Sequence, residues 1–142
     1  MKKNIIILTL VLVILCSVFV SIFFYTNLYI KEVYYLDMDL VVKNNIGVNA
    51  DSDAIHFGGV PPGGKSMRKT IIKNNFSHPV LVSIKTYGDL QDSVSVSDNN
   101  FYLAKNSTKI ITFLASIKEG TEIGKYFGKA KIEFKRPLST FI

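Results

Sequence analysis

A block of 20 consecutive residues near the N-terminus, residues 5–24 (IIILTLVLVILCSVFVSIFF), is almost entirely apolar. The chain carries no charged residue between Lys3 and Lys31. A helix of this length extends for about 30 Å, which matches the hydrocarbon core of a bilayer. Its three hydroxyl side chains can hydrogen-bond to the helix backbone, so they do not oppose insertion. The block therefore predicts a helix that spans a membrane.

Two other interpretations of this block fit less well. A cleavable signal peptide has an apolar stretch of roughly 7–15 residues and a small-residue exit site. The block here is longer, and the residues at its end and after it (FFYTNLYIKE) contain no such site. A lipoprotein needs a small residue before Cys16, and Leu15 stands there. We therefore predict an uncleaved signal anchor over residues 5–30, which contact membrane lipid, between a short N-terminus (1–4) and a second domain (31–142).

The charges that flank the block predict its orientation. Lys2, Lys3 and the α-amino group precede it, and Lys31 follows it. Basic residues next to a span favour the cytoplasmic side, so we expect a single-pass cell membrane protein with a cytoplasmic N-terminus and an extracytoplasmic C-terminal domain. Four tyrosines suit the far headgroup interface: Tyr25, Tyr29, Tyr34 and Tyr35.

The charge of the second domain argues against nucleic acid as a partner. From Glu32 onward, that is without Lys2, Lys3 and Lys31, 14 of the 17 basic residues remain, against 11 acidic residues, which gives a net charge of +3. No basic stripe with interleaved aromatic residues occurs. The single cysteine, Cys16, lies within the apolar block. The second domain therefore depends on a packed core rather than on a disulfide.

After the apolar block the sequence alternates with a period of two. In residues 33–42, one face carries Tyr34, Leu36, Met38, Leu40 and Val42, and the other carries Asp37 and Asp39. This pattern is typical of a half-buried strand. Further short strand-like pieces occur at 46–48, 54–57, 67–74, 80–86, 94–97, 101–103, 108–117 and 125–134. Turn residues separate them, so the pattern predicts an all-β antiparallel sandwich of seven or eight strands.

The segment GVPPGGKS, residues 59–66, matches the phosphate-binding pattern G-x-x-x-x-G-K-[ST]. A phosphate loop should follow a long apolar strand and open a helix. Here the short AIHF precedes it and the strand-like MRKTIIKNN follows it. We therefore interpret the match as a hairpin-like turn between two strands and expect no nucleotide. The residues that carry the match are Gly59, Gly64, Lys65 and Ser66, with Lys65 and Ser66 solvated at the tip.

No other pattern indicates catalysis. His56 and His78 are the only histidines, and a lone histidine is most often a surface residue or a satisfied core residue. Asp37 and Asp39 fit the wet face of a strand, and the Asp51-Ser52-Asp53 segment lacks the glycine and distal glutamate of an EF-hand loop. We expect no catalytic residue, no metal and no cofactor, although an irregular calcium site at 51–53 stays an alternative.

Two N-x-[ST] sequons lie at predicted turns. They are Asn75-Phe76-Ser77 and Asn106-Ser107-Thr108. Asparagine in such a context can accept a glycan in an exported protein. We therefore name Asn75 and Asn106 as candidate glycosylation sites, provided that the organism glycosylates exported proteins.

Several segments resemble a known group of folds. IHFG with its Pro/Gly turn, RKTIIKNN, FSHPVLVSI, NNFYLAKNSTKIITFLAS and IGKYFGKAKIEF resemble immunoglobulin-like sandwiches of the major-sperm-protein, hydin and pilus-chaperone type. The chain is also similar to single-pass β-sandwich surface proteins of archaea. The likeness covers residues 46–134 and implies an immunoglobulin-like sandwich that binds or scaffolds. It transfers no catalytic residue.

These observations favour a non-enzymatic, membrane-anchored binding or scaffold module at the cell surface. It would act through protein–protein contacts with an envelope or surface partner, by its strand edges or its end loops. The alternative is an accessory chaperone or assembly factor for exported or filament subunits. A long unpaired edge strand would favour the chaperone.

Overall fold

A computed structural model describes residues 2–25, 29–45, 47 and 54–137. One helix, α1, spans Lys2–Phe24 and has a mean hydropathy of 3.2 over its most apolar window. Its hydroxyls bond to the helix backbone as expected, for example Thr9 Oγ1 to the Ile5 carbonyl at 2.8 Å. No residue of α1 is buried by the rest of the described chain. The helix is long and apolar enough to cross a membrane, a property that signal sequences share.

Eight strands follow α1 and form two sheets. One sheet has five strands in the order β2-β1-β8-β4-β6, and the other has three in the order β3-β7-β5. The structure therefore confirms a β-rich, two-sheet fold behind an N-terminal apolar helix. The strands are β1 (Ile30–Val42), β2 (Ile55–Val60), β3 (Lys65–Lys73), β4 (Val80–Gly88), β5 (Val94–Val96), β6 (Phe101–Leu103), β7 (Thr108–Ser116) and β8 (Gly124–Lys135).

One strand pair departs from the antiparallel arrangement that we predicted. β1 and β2 run parallel, with Met38 opposite Ile55 and Val42 opposite Val60. Alternation fixes which face of a strand is buried, but it carries no information on the direction of its neighbour. Part of the predicted piece at 46–48 lies outside the described residues; Gly47 forms an isolated bridge to Gly59.

The core lies between the sheets, where the inward faces of both meet. Met38, Leu40 and Val42 of β1 are at most 1% exposed, as their alternation predicts. Ile111 and Phe113 of β7, which are fully buried, belong to the same core. The remaining buried apolar side chains are Ile55, Phe57, Val60, Ile72, Val80, Val82, Ile84, Leu90, Val94, Leu103, Ala115, Ile117, Ala130, Ile132 and Phe134.

The first half of β1 is less covered than its sequence suggests. Tyr34 and Leu36 share the inward face with Met38, but Tyr34 is 43% exposed and Leu36 is only half-buried. β2 pairs with β1 only from Met38 onward, and the opposite sheet has three strands instead of five. Alternation therefore places Tyr34 on the inward face but does not determine how far it is buried, because its cover depends on strands that are distant in sequence.

The strands define two ends of the sandwich. The end at which the chain enters at Ile30 also holds the turns 74–79 and 104–107, and we call it the helix-side end. The turns 61–64, 89–93 and 117–123 lie at the opposite end, which we call the far end. Tyr25, after the last residue of α1, stacks on Tyr29 with 5.1 Å between ring centroids, so the end of α1 is close to the helix-side end.

Candidate functional site

The segment that matches a phosphate loop is a turn between the two sheets. It leaves β2 in the five-stranded sheet and enters β3 in the three-stranded sheet, so it joins two strands, as expected, but these strands do not pair with each other as in a hairpin. The Gly64 N–H donates to the Pro61 carbonyl at 2.9 Å, and Gly63 has a φ of +76°. Proline at the second position and glycine at the third are typical of a type II turn. The turn opens into a nine-residue strand, not a helix.

The residues that carry the matched pattern lie in different structural environments. They are Gly59, Gly64, Lys65 and Ser66. A Cβ on Gly64 would lie 2.8 Å from the Pro61 carbonyl oxygen, and one on Gly59 would lie 2.9 Å from the Asn45 carbonyl oxygen. Both positions therefore bring backbones too close together for a side chain. Lys65 is exposed, as predicted. Ser66 is half-buried, contrary to expectation, because its Oγ donates to the Phe57 carbonyl at 2.8 Å.

The two histidines have different environments. His56 Nδ1 pairs with the Asp39 carboxylate on the outer face of the five-stranded sheet. His78 Nε2, in the turn after β3, is buried and has no hydrogen-bond partner among the described residues. His78 is therefore neither a surface residue nor a satisfied core residue, which differs from our expectation for a lone histidine.

The acidic pairs do not form a cluster in the described part of the chain. The Asp37 carboxylate lies 3.3 Å from Lys129 Nζ on the wet face of β1. Within the described ranges no three His, Cys, Asp or Glu side chains are placed to hold a metal ion together. Asp51 and Asp53, the residues of the alternative calcium site, lie outside those ranges.

Both sequons lie at the helix-side end. Asn75 and Asn106 are exposed in the turns 74–79 and 104–107, and Asn106 has a φ of +55°. Their side chains are therefore accessible to solvent. The use of either site by a glycosylating enzyme stays a prediction.

A cleft on one side of the sandwich connects the core with solvent. It has a volume of about 300 Å³. On one wall lie Tyr34 and Leu36 of β1 with Ile132 and Phe134 of β8, and the other wall is residues 70–73 of β3. The cleft thus lies between the two sheets beside Tyr34 and Leu36 of β1, where β2 does not pair with β1.

Two strand edges border this cleft. β3 pairs with β7 on one side, and no described strand pairs with its other side. Residues 30–37 of β1 pair with β8, and no described strand pairs with their other side either. We call this region, with the cleft and the two edges, the open side of the sandwich. The opposite edges are short, because β5 and β6 have three residues each.

The open side combines apolar contact area with positive charge. Ile71 of β3 is 68% exposed next to the cleft. Lys65, Lys69 and Lys73 of the same strand are all exposed. Lysines on an edge strand oppose indiscriminate pairing with other strands. The edge is therefore exposed and positively charged.

A second concave surface lies on the outer face of the five-stranded sheet. This groove has a volume of about 820 Å³ and is wide and shallow. Three exposed aromatic rings line it, Tyr35, Tyr87 and Phe127. The Asp39–His56 pair lies at one side of it. The exposed aromatic rings on this sheet provide a second contact surface, and β2, the edge strand of the five-stranded sheet, borders it.

Two lysines of β8, Lys131 and Lys135, form an ion cluster with the buried Glu133. The Glu133 carboxylate accepts from Lys131 Nζ at 2.6 Å and from Lys135 Nζ at 2.8 Å. Burial alone would raise the pKa of Glu133, but the hydrogen bonds from the two lysines outweigh it and lower the pKa to about 2. The hydrogen bond to Glu133 raises the pKa of Lys131. The cluster is therefore charged at neutral pH.

The sequence did not predict the roles of two asparagines whose side chains bond to the backbone of the turns and of β4. Asn74 is fully buried and bonds to both turns of the helix-side end. Asn99 Oδ1 accepts from the Ile84 N–H at 2.7 Å, and its Nδ2 donates to the Ile84 carbonyl at 2.8 Å. Asn99 thus takes the place of a strand neighbour for β4. The only signal in the sequence was the asparagine-rich composition of the turns.

No protein-family model, curated protein or solved structure matches this chain. The geometry of the described residues is therefore the basis on which a function can be proposed.

Proposed function

We propose that this chain is a non-enzymatic, membrane-anchored binding module whose open side takes up an extended segment of a partner protein. The observation that carries the proposal is the cleft of about 300 Å³ between two strand edges that have no described neighbour. A strand edge offers backbone N–H and C=O groups in a row, and the cleft accepts alternate side chains of a segment that pairs with it. The bound segment would thus add a strand to one of the two sheets.

The walls of the cleft supply a hydrophobic contribution. A side chain inserted beside Tyr34 and Leu36 would cover apolar surface that is now accessible, at about 25 cal/mol for each Å² removed from water. The exposed lysines of β3 would favour acidic side chains on the outward positions of the segment. The preferred partner segment is therefore extended, with alternating apolar and acidic residues.

The anchor part of the proposal concerns α1. We infer that α1 stays in the membrane as a signal anchor, with a cytoplasmic N-terminus and an extracytoplasmic sandwich. Its length and hydropathy support this, and so does the excess of lysine before the span. A module held in the plane of the membrane meets other anchored envelope proteins at a raised effective concentration. A weak strand-to-strand contact can then suffice.

We further infer an immunoglobulin-like topology of the major-sperm-protein and pilus-chaperone type. The support is the order of the quoted segments together with the two-sheet arrangement behind an apolar helix. The same open side also favours the second candidate function, an accessory chaperone that holds exported or filament subunits for a short time. The two functions differ in how long the partner stays bound.

Photocrosslinking in native membranes tests the proposed function. A photoreactive amino acid replaces Ile71 at the open side, and a matched variant carries it at Tyr102, which is 64% exposed on the opposite, β6 edge. We expect one defined protein partner to be captured from position 71 and not from position 102. Equal capture at both positions, or none at either, would contradict the proposal. A pulse-chase measurement of the crosslink separates a lasting partner from a transiently held subunit.

A further inference from the structure

The two ends of the sandwich differ in charge. Five basic residues lie at the helix-side end: Lys31, Lys73, Lys105, Lys135 and Arg136. Among the described residues, two acidic ones lie near them: Glu32, which accepts from the Tyr34 hydroxyl, and Glu133, which pairs with Lys131 and Lys135. In the described part of the far end, four basic residues are balanced by four acidic ones: Lys43, Lys65, Lys118 and Lys125 against Asp89, Asp92, Glu119 and Glu122. Positive charge is therefore concentrated at the end of the sandwich that α1 enters.

A short series of contacts connects the basic end to α1. Tyr25, directly after α1, stacks on Tyr29. The Tyr29 carbonyl accepts from the Arg136 N–H at 2.8 Å, and Lys135 Nζ lies 5.9 Å from the centre of the Tyr29 ring. With α1 in the hydrocarbon core, Tyr25 and Tyr29 reach the headgroup level, where tyrosine is favoured. The basic end would then face the membrane surface.

We propose that the helix-side end of the sandwich binds anionic lipid headgroups through Lys31, Lys73, Lys105 and Arg136. Three of these side chains are exposed and Lys31 is half-buried. Each basic side chain close to an anionic surface shifts the contact equilibrium about fivefold. The attraction falls off within a Debye length of about 10 Å at 0.1 M salt. Lys135 contributes less, because Glu133 neutralises it.

Such a contact has a consequence for the open side. Several headgroup contacts at one end of the sandwich would hold its strands along the membrane normal. The open side, which runs along β1 and β3, would then face neighbouring proteins instead of the lipid. The proposal rests on the proposed function only in that α1 stays in the membrane.

Hydrogen exchange on the full chain in lipid nanodiscs tests this contact. One set of discs contains phosphatidylcholine alone, and the other contains equal amounts of phosphatidylcholine and phosphatidylglycerol. The test variant is Lys73→Glu with Lys105→Glu, at two exposed positions of the helix-side end. The control is Lys118→Glu with Lys125→Glu, which changes the net charge equally at the far end.

We expect the amides of the turns 74–79 and 104–107 to exchange several-fold more slowly in the anionic discs. Higher ionic strength and the helix-side double variant should both remove this difference, and the far-end control should keep it. Equal exchange in the two kinds of disc, or equal loss in both variants, would overturn the proposal. Because incorporation of the chain into discs is verified separately by co-purification with lipid, failure of the headgroup contact is distinguishable from failure of the anchor.

Discussion

Replacement of Asn74 by alanine removes the hydrogen-bonding centre that joins the two turns of the helix-side end. Its Nδ2 lies 3.0 Å from each of three carbonyl oxygens, those of His78, Leu103 and Ala104. Its Oδ1 accepts from the Phe76 N–H at 2.9 Å. The side chain is 0% exposed, so water does not replace these partners unless the turns open.

The expected loss of stability depends on the number of hydrogen bonds that the Asn74 side chain makes. Two amide hydrogens shared among three carbonyls, plus one accepted bond, amount to about three hydrogen bonds at about 1 kcal/mol each. We therefore expect Asn74→Ala to lower the free energy of unfolding by about 3 kcal/mol. For a domain of this size the melting temperature should fall by about 10–15 °C. Asn74→Asp keeps the volume but directs a carboxylate at three carbonyl oxygens, so it should destabilise at least as much.

Thermal unfolding of the full chain in detergent micelles, followed by circular dichroism of the β signal, measures this effect. Asn75→Ala, at the exposed neighbouring position, is the matched control and should change the free energy of unfolding by less than about 0.5 kcal/mol. A loss below about 1 kcal/mol for Asn74→Ala, or equal losses at the two positions, would refute the assignment of Asn74 as the centre that joins the turns.

Three further predictions concern the ion cluster, the glycine-rich turn and the β4–β6 contact. The pKa of Glu133 is about 2 in the fold, whereas its ordinary value is 4.5. Its contribution to the free energy of unfolding, up to about 3 kcal/mol, is therefore present above pH 4.5 and is lost as the pH falls towards 2. Glu133→Gln should flatten the acid limb of a titration of unfolding against pH, and an unchanged limb would contradict this. Lys65→Ala should leave the free energy of unfolding within about 0.5 kcal/mol of the wild type. Gly63→Ala should lower it by about 1 kcal/mol or more because its φ is +76°, and the reverse ranking in urea unfolding would rule out the turn assignment. Asn99→Ala should speed amide exchange at Ile84, whose N–H donates to Asn99 Oδ1; unchanged exchange there would mean that Asn99 does not act as a strand neighbour.

Local patterns were sufficient to predict the elements of this fold. The apolar block became α1, and the alternation of residues 125–134 became β8 with Ala130, Ile132 and Phe134 buried. These properties depend on each residue and its close neighbours in sequence, which is the information that hydrophobic periodicity carries. The number of strands was predictable for the same reason.

The arrangement of the strands was not predictable from such patterns. Tyr34 and Met38 occupy equivalent positions in the alternation of β1, yet one is 43% exposed and the other 1%. The difference comes from β2, which begins beside Met38 although it lies 17 residues further along the chain. Likewise, the sequence around Asn74 indicates only a turn residue, because the turn at 104–107 to which its side chain bonds lies about 30 residues away. The open side arises from such distant contacts and has no local signature.

The central claim is that a partner segment pairs with a strand edge of the open side. Hydrogen exchange of the strand edges with the partner bound tests this claim most directly. The partner captured by crosslinking is purified and added to the full chain in nanodiscs, and exchange is compared with and without it. Strand addition predicts slower exchange in residues 30–37 of β1 or in β3, Lys65–Lys73, with little change in β5 and β6. Protection confined to the aromatic groove around Tyr87 and Phe127, with both edges unchanged, would contradict binding at the open side.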